Sequence, residues 1–545
     1  MITRPEIIGE LITQHESVFK EKDIARIINH YVDDGHDFQT ILHGVKTSDE
    51  IIALKYKGDA SDNIYYSTKE MIATEAEMIK LTYKLYEAKS HGIHPDFVNE
   101  AIKGQNKELK EKFGGRLSDE QIEAIKHITG KERLSTLVGY AGAGKSTALK
   151  AAREAWEAQG YKVHGAALAG KAAAGLEESS GIKSRTLHSY QYRWEHNDLK
   201  LNSNDVFVID EAGMVGSQQM HYFLKEVQKA GAKIILVGDS GQRQPISAGG
   251  AFKAIEEITN PAKITEIRRQ KQDWQRQASM DFANGNIETA LKAYDKKGFI
   301  TKSENEDEAI TSLVEDYIAD FKGTNSVKQI FNKQSDHVAD DCNKQSTRLI
   351  LAHRRKDVTK INIAVREKLY AENLMSKDSE LTYNTASGKK QFAKGDRILF
   401  TKNDTQLNVK NGTLGTVIDT SPSFLTIQPD GKNAKPIQID INQYNHLDHG
   451  YAVTIHKSQG ATVDKTWLLA TKSMDQYLMY VAGTRHREKI RIYHSKSELN
   501  TISDFSRKQF KQNHKQTTNG YDILQQDQLL DHLLSRKAVR KRNLH

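Results

Sequence analysis

Cysteine is nearly missing from this sequence, because Cys342 is the single cysteine in 545 residues. One cysteine excludes an internal disulfide framework and a zinc site built from cysteines. No apolar run approaches the ~20 residues that a membrane helix needs. The start, Met1–Glu6, also lacks the apolar segment behind a basic flank that marks a secretion signal. These absences predict a protein without a membrane segment that works in a reducing cytoplasm.

Size and charge narrow the class of protein further. Charged residues make up 28% and hydrophobic residues 37% of the chain, as in folded soluble proteins. A chain of 545 residues is longer than one hydrophobic core supports, so several domains are expected. The net charge of +8 favours a polyanionic partner only weakly, because a lysine-rich protein without such a partner has the same composition.

The spacing of apolar residues divides the chain into regions. Three- and four-residue spacing predicts helices before about residue 100, and the polar stretch Gly104–Gly115 is predicted to be a linker. From about Arg116, short apolar runs alternate with helical segments, which predicts an α/β fold with a parallel sheet. Strands are expected at Leu134–Val138, Lys162–Ala167, Val206–Ile209 and Lys233–Val237.

A second α/β region is expected from about Pro261 to Tyr493. It is interrupted near residues 395–447 by a segment rich in β-formers and turn residues. Within this segment, Asn411–Gly412 and Asp430–Gly431 have the composition of hairpin turns.

The segment Gly139–Ser146, GYAGAGKS, fits the phosphate-binding pattern G-x4-G-K-[ST]. Small residues let backbone N–H groups approach the β-phosphate, Lys145 neutralises the β and γ oxygens, and the Ser146 hydroxyl can ligate Mg²⁺. The following helix presents its positive end to the phosphates. The residues predicted to bind ATP here are Gly139, Gly142, Gly144, Lys145, Ser146 and Thr147.

Two carboxylates and a glutamine supply further candidates for the same chemistry. Asp210 and Glu211 end an apolar strand, where Asp210 can hold Mg²⁺ together with Ser146 and Glu211 can polarise the attacking water. Gln242, in the run GDSGQRQ after a neighbouring strand, could sense the γ-phosphate. An ordinary polar loop is the alternative for Gln242.

These motifs, in this order, resemble those of superfamily 1 helicases of the branch that includes the exonuclease V alpha subunit. Leu117–Gln121 resembles the adenine-reading element of that branch, with Gln121 on the base. Ala167–Ala173 and Thr186–His188 resemble segments that touch single-stranded DNA, and Thr454–Gly460 is similar to motif V. The DNA-binding residues that this resemblance implies are Lys171, Thr186, His188, Thr454 and His456.

Two further motifs resemble those that carry arginine fingers. Thr265–Gln270 implies Arg269 as one finger, and Tyr480–Arg487 resembles motif VI with Arg485 as the second. The finer pattern is most similar to the helicase part of conjugative relaxases of the TraA (Ti-type) kind, over about residues 1–500. One departure is Gly483, where the family usually has a larger apolar residue, and it is expected to loosen the seating of the finger.

The resemblance implies an α/β protein with two RecA-like P-loop domains and parallel sheets, holding ATP and Mg²⁺ between them. The first domain would supply Lys145, Glu211 and Gln242 to catalysis, and the second Arg269 and Arg485. The expected organisation is a helical N-terminal region (1–110), RecA-like domain 1 (111–260), domain 2 (261–394 and 448–498), an SH3-like β insertion (395–447) and a basic tail (499–545). The insertion would lie over the DNA strand, although a plain β-hairpin without a role is the alternative.

Aromatic residues leave two local questions open. Tyr192 and Trp194 could stack on bases, although such residues more often pack against their own domain. Tyr65 and Tyr66 are expected to be an ordinary strand or core pair.

The expected function is that of an ATP-dependent DNA helicase or translocase on single-stranded DNA, of the conjugative transfer type. Its 5′→3′ polarity is taken from the family. A DNA-binding remnant with a decayed ATPase is the alternative, which intact Lys145, Asp210, Glu211 and Arg485 disfavour. A complete relaxase is disfavoured because the first hundred residues lack the His-apolar-His triplet that nicking needs. Whether a separate relaxase or other conjugation proteins act with this chain stays open.

Overall fold

The computed structural model describes residues 4, 6–57, 63–239, 247–323, 347–404, 406–431, 434–499 and 516–524. Gln242 and Cys342 lie outside these residues, as does most of the predicted basic tail. Within the described ranges, no helix is both long enough and apolar enough to cross a membrane.

The region before residue 116 combines helices with a small antiparallel sheet. Its helices are α1 (Ile7–Thr13), α2 (Glu21–Tyr31), α3 (Gly35–Thr47), α4 (Lys69–Glu87) and α5 (Pro95–Phe113). Its strands are β1 (Ile51–Tyr56), β2 (Tyr65–Thr68) and β21 (Tyr521–Ile523), with β1 in the middle. The region predicted to be helical therefore contains strands, and part of the predicted tail returns to pair with β1. Tyr66 is buried in β2, as expected of a strand or core residue.

The predicted linker at Gly104–Gly115 is wrong, because α5 continues through it to Phe113. The helix buries Val98, Ala101 and Ile102 in the core of the first parallel-sheet domain. Its lysines, which suggested a linker, lie on the exposed side of the same helix. The polar residues of this stretch form the solvent-exposed face of an amphipathic helix, so they do not indicate a linker.

A six-stranded parallel sheet forms the centre of the first domain, in the order β5-β4-β6-β7-β3-β8. Its strands are β3 (Leu134–Gly139), β4 (Lys162–Ala167), β5 (Ser184–Thr186), β6 (Asp205–Ile209), β7 (Lys233–Gly238) and β8 (Ala262–Ile264). Its helices are α6 (Asp119–Ile128), α7 (Lys145–Ala158), α8 (Gly170–Ser180), α9 (Leu187–Glu195), α10 (Ser217–Ala230) and α11 (Ala251–Thr259). The parallel α/β class and the strands predicted from apolar runs are confirmed, because strands covered on both faces are apolar throughout.

The first sheet extends beyond the predicted boundary at residue 260. Strand β8 pairs in parallel with β3, with Ala262 opposite Leu137 and Ile264 opposite Gly139. A second domain that starts at residue 261 would remove this edge strand from the first sheet, so the boundary at 260/261 is too early. The three residues of β8 are too few to stand out as a strand in the sequence.

A second parallel sheet, in the order β18-β10-β19-β20-β9, forms the centre of the second domain. Its strands are β9 (Ile300–Ser303), β10 (Arg348–Ala352), β18 (Ala452–Thr454), β19 (Val463–Leu469) and β20 (His486–Ser495). Its helices are α12 (Asp273–Ala283), α13 (Ile287–Lys296), α14 (Glu306–Gly323), α15 (Arg355–Ala371) and α16 (Gln476–Gly483).

An antiparallel insertion, residues 381–449, interrupts the second domain between α15 and β18. It contains a hairpin of β11 (Leu381–Thr385) and β12 (Gly388–Phe392). A five-stranded sheet follows, built from β13 (Arg397–Phe400), β14 (Leu414–Thr420), β15 (Phe424–Pro429), β16 (Ile437–Asp440) and β17 (Leu447–His449). Both predicted turns fall between paired strands, Asn411–Gly412 before β14 and Asp430–Gly431 after β15. The insertion has its own apolar core, so it is more than a plain hairpin.

Candidate nucleotide site and strand surface

The P-loop joins the end of β3 to the start of α7 and lies close to the second domain. Gly142 and Gly144 have φ angles of +84° and +86°, which favour glycine. A Cβ on Gly142 would lie 2.6 Å from the Cβ of Arg269, and a Cβ on Gly144 would collide with Nε2 of Gln121. Lys145 Nζ donates to the carbonyl of Gly139 at 2.6 Å. Close approach as well as backbone conformation therefore requires glycine at 142 and 144.

Gln121 braces the P-loop in this structure. It is buried and completes a capping box with Ser118 at the start of α6. Its Nε2 donates to the carbonyls of Ala143 and Gly144, at 3.3 and 3.2 Å. Both ends of the amide are engaged by the protein, so the contact of Gln121 with the adenine base stays a prediction.

Asp210 and Glu211 lie at the carboxyl end of β6, beside the P-loop. Burial raises the pKa of Glu211 to about 7, and the negative charge of Asp210 adds to the effect. Burial also raises the pKa of Asp210, while the positive charge of Lys145 opposes the rise. Glu211 has a φ of +52°, a conformation rarely found outside glycine that clusters at functional sites. A carboxylate with a pKa near neutrality is suited to accept a proton from water.

The groups at this edge of the first sheet fit a triphosphate with Mg²⁺. Asp210 offers a carboxylate, and Ser146 offers a hydroxyl at the first turn of α7. Oxygen ligands of this kind are those that Mg²⁺ prefers. Lys145 lies near enough to affect the pKa values of both Asp210 and Glu211, which places the predicted phosphate-binding lysine beside the two carboxylates.

Residues 265–271 cross from the first domain to the second. The carboxylate of Glu120 accepts hydrogen bonds from the backbone N–H groups of Thr265 and Glu266, at 2.7 and 3.0 Å. The N–H of Arg268 donates to the carbonyl of Gly142 at 3.0 Å. From Arg269 onward the partners belong to the second domain, because its Nη1 donates to the carbonyl of Thr484 at 2.6 Å. The change of partners between residues 268 and 269 marks the crossing point.

Arg485 is buried at the end of α16, where its Nε donates to the carbonyl of Val481 at 2.9 Å. Burial lowers the pKa of Arg269 to about 9, and the neighbouring charge of Arg485 contributes to the shift. The charge of Arg485 also acts on Glu211. The structure therefore brings both predicted fingers together beside the predicted catalytic carboxylate.

The expectation that Gly483 loosens the seating of Arg485 is wrong. A Cβ at this position would lie 2.7 Å from two ring atoms of Phe282 on α12. The missing side chain lets α16 pack directly on the aromatic ring, so glycine fixes the helix that carries the arginine.

Tyr480 is a site residue that the sequence reasoning did not single out. Its hydroxyl donates to Oδ2 of Asp239 at 2.6 Å and accepts from the N–H of Ala141 at 2.8 Å. Ala141 belongs to the P-loop and Asp239 follows β7, so both partners lie in the first domain. The sequence feature that could have singled out Tyr480 is its position as the first residue of Tyr480–Arg487, the segment that resembles motif VI.

The predicted DNA-binding residues lie at the carboxyl ends of strands in both parallel sheets. Lys171 lies in the first turn of α8, after β4, and its Nζ donates to the carbonyl of Gly412 in the insertion at 3.2 Å. Thr186 is the last residue of β5 and Thr454 the last residue of β18, and the hydroxyl of each caps the helical turn that follows. The remaining two are His188, which is exposed, and His456, which is half-buried with its ring 5.6 Å from that of His353.

The two aromatic candidates on α9 differ in their surroundings. Trp194 is 9% exposed and packs against Phe207 and Phe223, so base stacking by Trp194 is excluded in this fold. Tyr192 is 60% exposed and its ring stacks on His196, with 4.1 Å between the centroids.

Comparisons with known proteins show what this chain is similar to. An AAA domain model matches residues 116–305, and a viral superfamily 1 RNA helicase core domain model matches residues 375–494. The probable conjugal transfer protein TraA of Sinorhizobium fredii is 39% identical over 525 residues, which is 95% of this chain. Over nearly its whole length, the chain is therefore closely homologous to conjugal transfer proteins of the TraA kind. The TraA protein of Agrobacterium fabrum is 40% identical over 96% of this chain. The chain spans 45% of the length of each of these two TraA relatives.

More distant relatives are helicases. The ATP-dependent RecD2 DNA helicase of Deinococcus radiodurans is 26% identical over 381 residues, 68% of this chain and 48% of that protein. A crystal structure of Bacteroides Pif1 bound to single-stranded DNA covers 78% of this chain and 98% of its own, with 17% identity and a TM-score of 0.47. The predicted membership of superfamily 1 is confirmed, because the chain carries the domains of a superfamily 1 helicase.

Proposed function

We propose that this chain is an ATP-driven motor that moves 5′→3′ along single-stranded DNA and separates strands during conjugative transfer. The observation that carries the proposal is the meeting of Arg269 and Arg485 with Glu211 beside the P-loop. These groups come from distant parts of the chain and from both parallel-sheet domains. A site that joins a phosphate cradle, a carboxylate and two buried arginines is suited to phosphoryl transfer.

Each residue of the cleft has a distinct part in hydrolysis. Lys145 and the P-loop N–H groups hold the phosphates, while Ser146 and Asp210 would hold Mg²⁺, which neutralises charge on the phosphate oxygens when bound. Glu211 orients the attacking water and accepts its proton. Arginine fingers act on charge that develops in the transition state, and they raise the rate by about 10³- to 10⁵-fold.

Movement follows from the way the cleft is divided between domains. The chain crosses from one domain to the other between residues 268 and 269, next to the finger Arg269. Opening the cleft there withdraws both arginines from Glu211, and closing it restores them. We therefore assign RecA-like roles to the two parallel-sheet domains, with hydrolysis coupled to their approach.

The DNA strand is proposed to run across the carboxyl ends of both sheets. Lys171, Thr186 and His188 would contact it from the first domain, and Thr454 and His456 from the second. The antiparallel insertion reaches this path, because the turn at Gly412 accepts a hydrogen bond from Lys171. We propose that the insertion acts as the SH3-like cover expected over the strand.

The 545-residue chain is proposed to act as a motor without its own nicking activity, in the cytoplasm and with other conjugation proteins. Nicking needs a tyrosine nucleophile and a metal held by clustered histidines. Incubating the chain with supercoiled plasmid that carries a transfer origin, in Mg²⁺ or Mn²⁺, should give no open circles. A covalent tyrosine–DNA adduct on a denaturing gel would contradict this part of the proposal.

Polarity and strand separation are tested with partial duplexes that carry a single-stranded tail at either the 5′ or the 3′ end. Wild-type protein with ATP should separate the 5′-tailed duplex and leave the 3′-tailed one intact. Lys145→Ala is the matched control and should separate neither. Separation of only the 3′-tailed substrate would contradict the polarity, and separation by Lys145→Ala would contradict the nucleotide site.

A further inference from the structure

We infer that Tyr480 is a positioning residue that couples closure of the interdomain cleft to the P-loop and thereby seats both arginine fingers. The inference rests on the proposed function and deepens it, since it concerns regulation of the same site.

The hydroxyl of Tyr480 makes its hydrogen bonds across the cleft. The side chain is 1% exposed, and its oxygen lies 2.8 Å from the backbone nitrogen of Ala141 and 2.6 Å from Oδ2 of Asp239. Burial and the nearby Asp239 raise the pKa of Tyr480, so the phenol stays protonated and donates to the carboxylate. Ala141 packs among apolar residues of the second domain and not of its own. The contact therefore forms only when the two domains meet.

Tyr480 lies on α16, and hydrogen bonds tie the residues just after this helix, including Arg485, back to it. The backbone N–H and Oγ1 of Thr484 both donate to the carbonyl of Tyr480, at 3.1 and 2.8 Å. The neighbouring Val481 carbonyl accepts from Arg485 Nε. Placing the Tyr480 hydroxyl on the P-loop consequently fixes where Arg485 lies.

The same element also locates the other finger. Arg269 Nη1 donates to the carbonyl of Thr484, one residue after the end of α16. A shift of α16 away from the P-loop would therefore move both guanidinium groups. Asp239 follows β7 of the first domain. Tyr480 thus joins the finger helix to the P-loop and to the carboxyl end of β7.

Tyr480→Phe removes the hydroxyl and keeps the ring. Because Tyr480 positions the fingers and makes no contact with nucleotide in this account, kcat for DNA-stimulated ATP hydrolysis should fall by about tenfold or more, while KM for ATP changes by less than about threefold. The matched control is Tyr451→Phe. Its hydroxyl donates to Asp396 at 2.9 Å, so this variant loses a buried tyrosine–carboxylate bond away from the cleft. Its kcat should stay within about threefold of wild type.

Hydrogen exchange provides a second measurement, which starts with the wild-type protein and is then repeated on both variants. The amide of Ala141 should be protected, and the protection should be lost in Tyr480→Phe and kept in Tyr451→Phe. A kcat of Tyr480→Phe close to that of wild type, a rise in KM without loss of kcat, or fast exchange of the wild-type Ala141 amide would each overturn the inference. Wild-type protein that DNA fails to stimulate would instead refute the proposed function, so the two failures are distinguishable.

Discussion

Adding one methyl group at position 483 tests whether close packing of α16 on α12 seats the finger. In Gly483→Ala, the new Cβ would lie 2.7 Å from Cδ2 and Cε2 of Phe282, well inside van der Waals contact. The ring of Phe282 is 1% exposed and stacks near Tyr294, with 6.2 Å between the centroids, so it has little room to move away. Overpacking of this kind costs about 1–3 kcal/mol.

The expected result has a thermal and a catalytic part. For a domain of this size, each kcal/mol of destabilisation lowers the unfolding midpoint by about 2–4 °C. The midpoint of the second domain should therefore fall by about 2–12 °C. Because Arg485 follows position 483 by two residues, displacement of α16 should also lower kcat. Calorimetry and steady-state hydrolysis measure the two effects on the same preparation.

A second change separates crowding from other causes. Phe282→Leu alone leaves a cavity and should destabilise the protein, but in combination with Gly483→Ala the added methyl gains the vacated space. The double variant should therefore unfold at a higher temperature than the sum of the two single effects predicts. A Gly483→Ala protein with wild-type midpoint and kcat, or strictly additive effects in the double variant, would refute the reasoning.

Three further predictions concern single side chains. Glu211→Gln should still bind ATP, measured by nucleotide titration, but lose turnover, since it removes the base and keeps the phosphate cradle; turnover close to wild type would contradict the role. Arg485→Ala should keep nucleotide affinity and lose about 10³-fold or more of DNA-stimulated hydrolysis, and an equal loss of affinity would indicate a structural role instead. Burial lowers the pKa of Lys233 to about 7. Between pH 7 and about pH 10, the unfolded chain therefore binds more protons than the folded chain, and the free energy of unfolding rises with pH. This rise is worth up to about 4 kcal/mol, and Lys233→Met should flatten it in unfolding experiments across the same pH range. An unchanged pH dependence in the variant would contradict the assignment to Lys233.

Local patterns in the sequence were sufficient for the parallel sheet and the phosphate loop. Strands such as β6 and β7 are apolar runs buried on both faces, and the P-loop needs its glycines within a few residues of one another. Short-range spacing carries such information directly. The same reasoning failed for α5, where the exposed lysines of an amphipathic helix were interpreted as a linker.

Features that depend on contacts between residues far apart in the sequence could not be predicted from the spacing of apolar and polar residues. Strand β21 pairs with β1 across more than four hundred residues, and β8 is recognised only by its pairing with β3. The role of Gly483 follows from its close packing on Phe282, and the role of Tyr480 from its hydrogen bonds to Ala141 and Asp239. Each of these partners belongs to another element, so only the folded chain shows what the residue contacts.

As a DNA-driven motor, this chain should hydrolyse ATP in response to single-stranded DNA. The direct measurement is steady-state hydrolysis by the purified chain with and without single-stranded DNA, alongside Lys145→Ala. DNA should stimulate the wild-type protein about tenfold or more, and the variant should show no significant turnover. Hydrolysis that DNA leaves unchanged, or that survives in Lys145→Ala, would contradict this role.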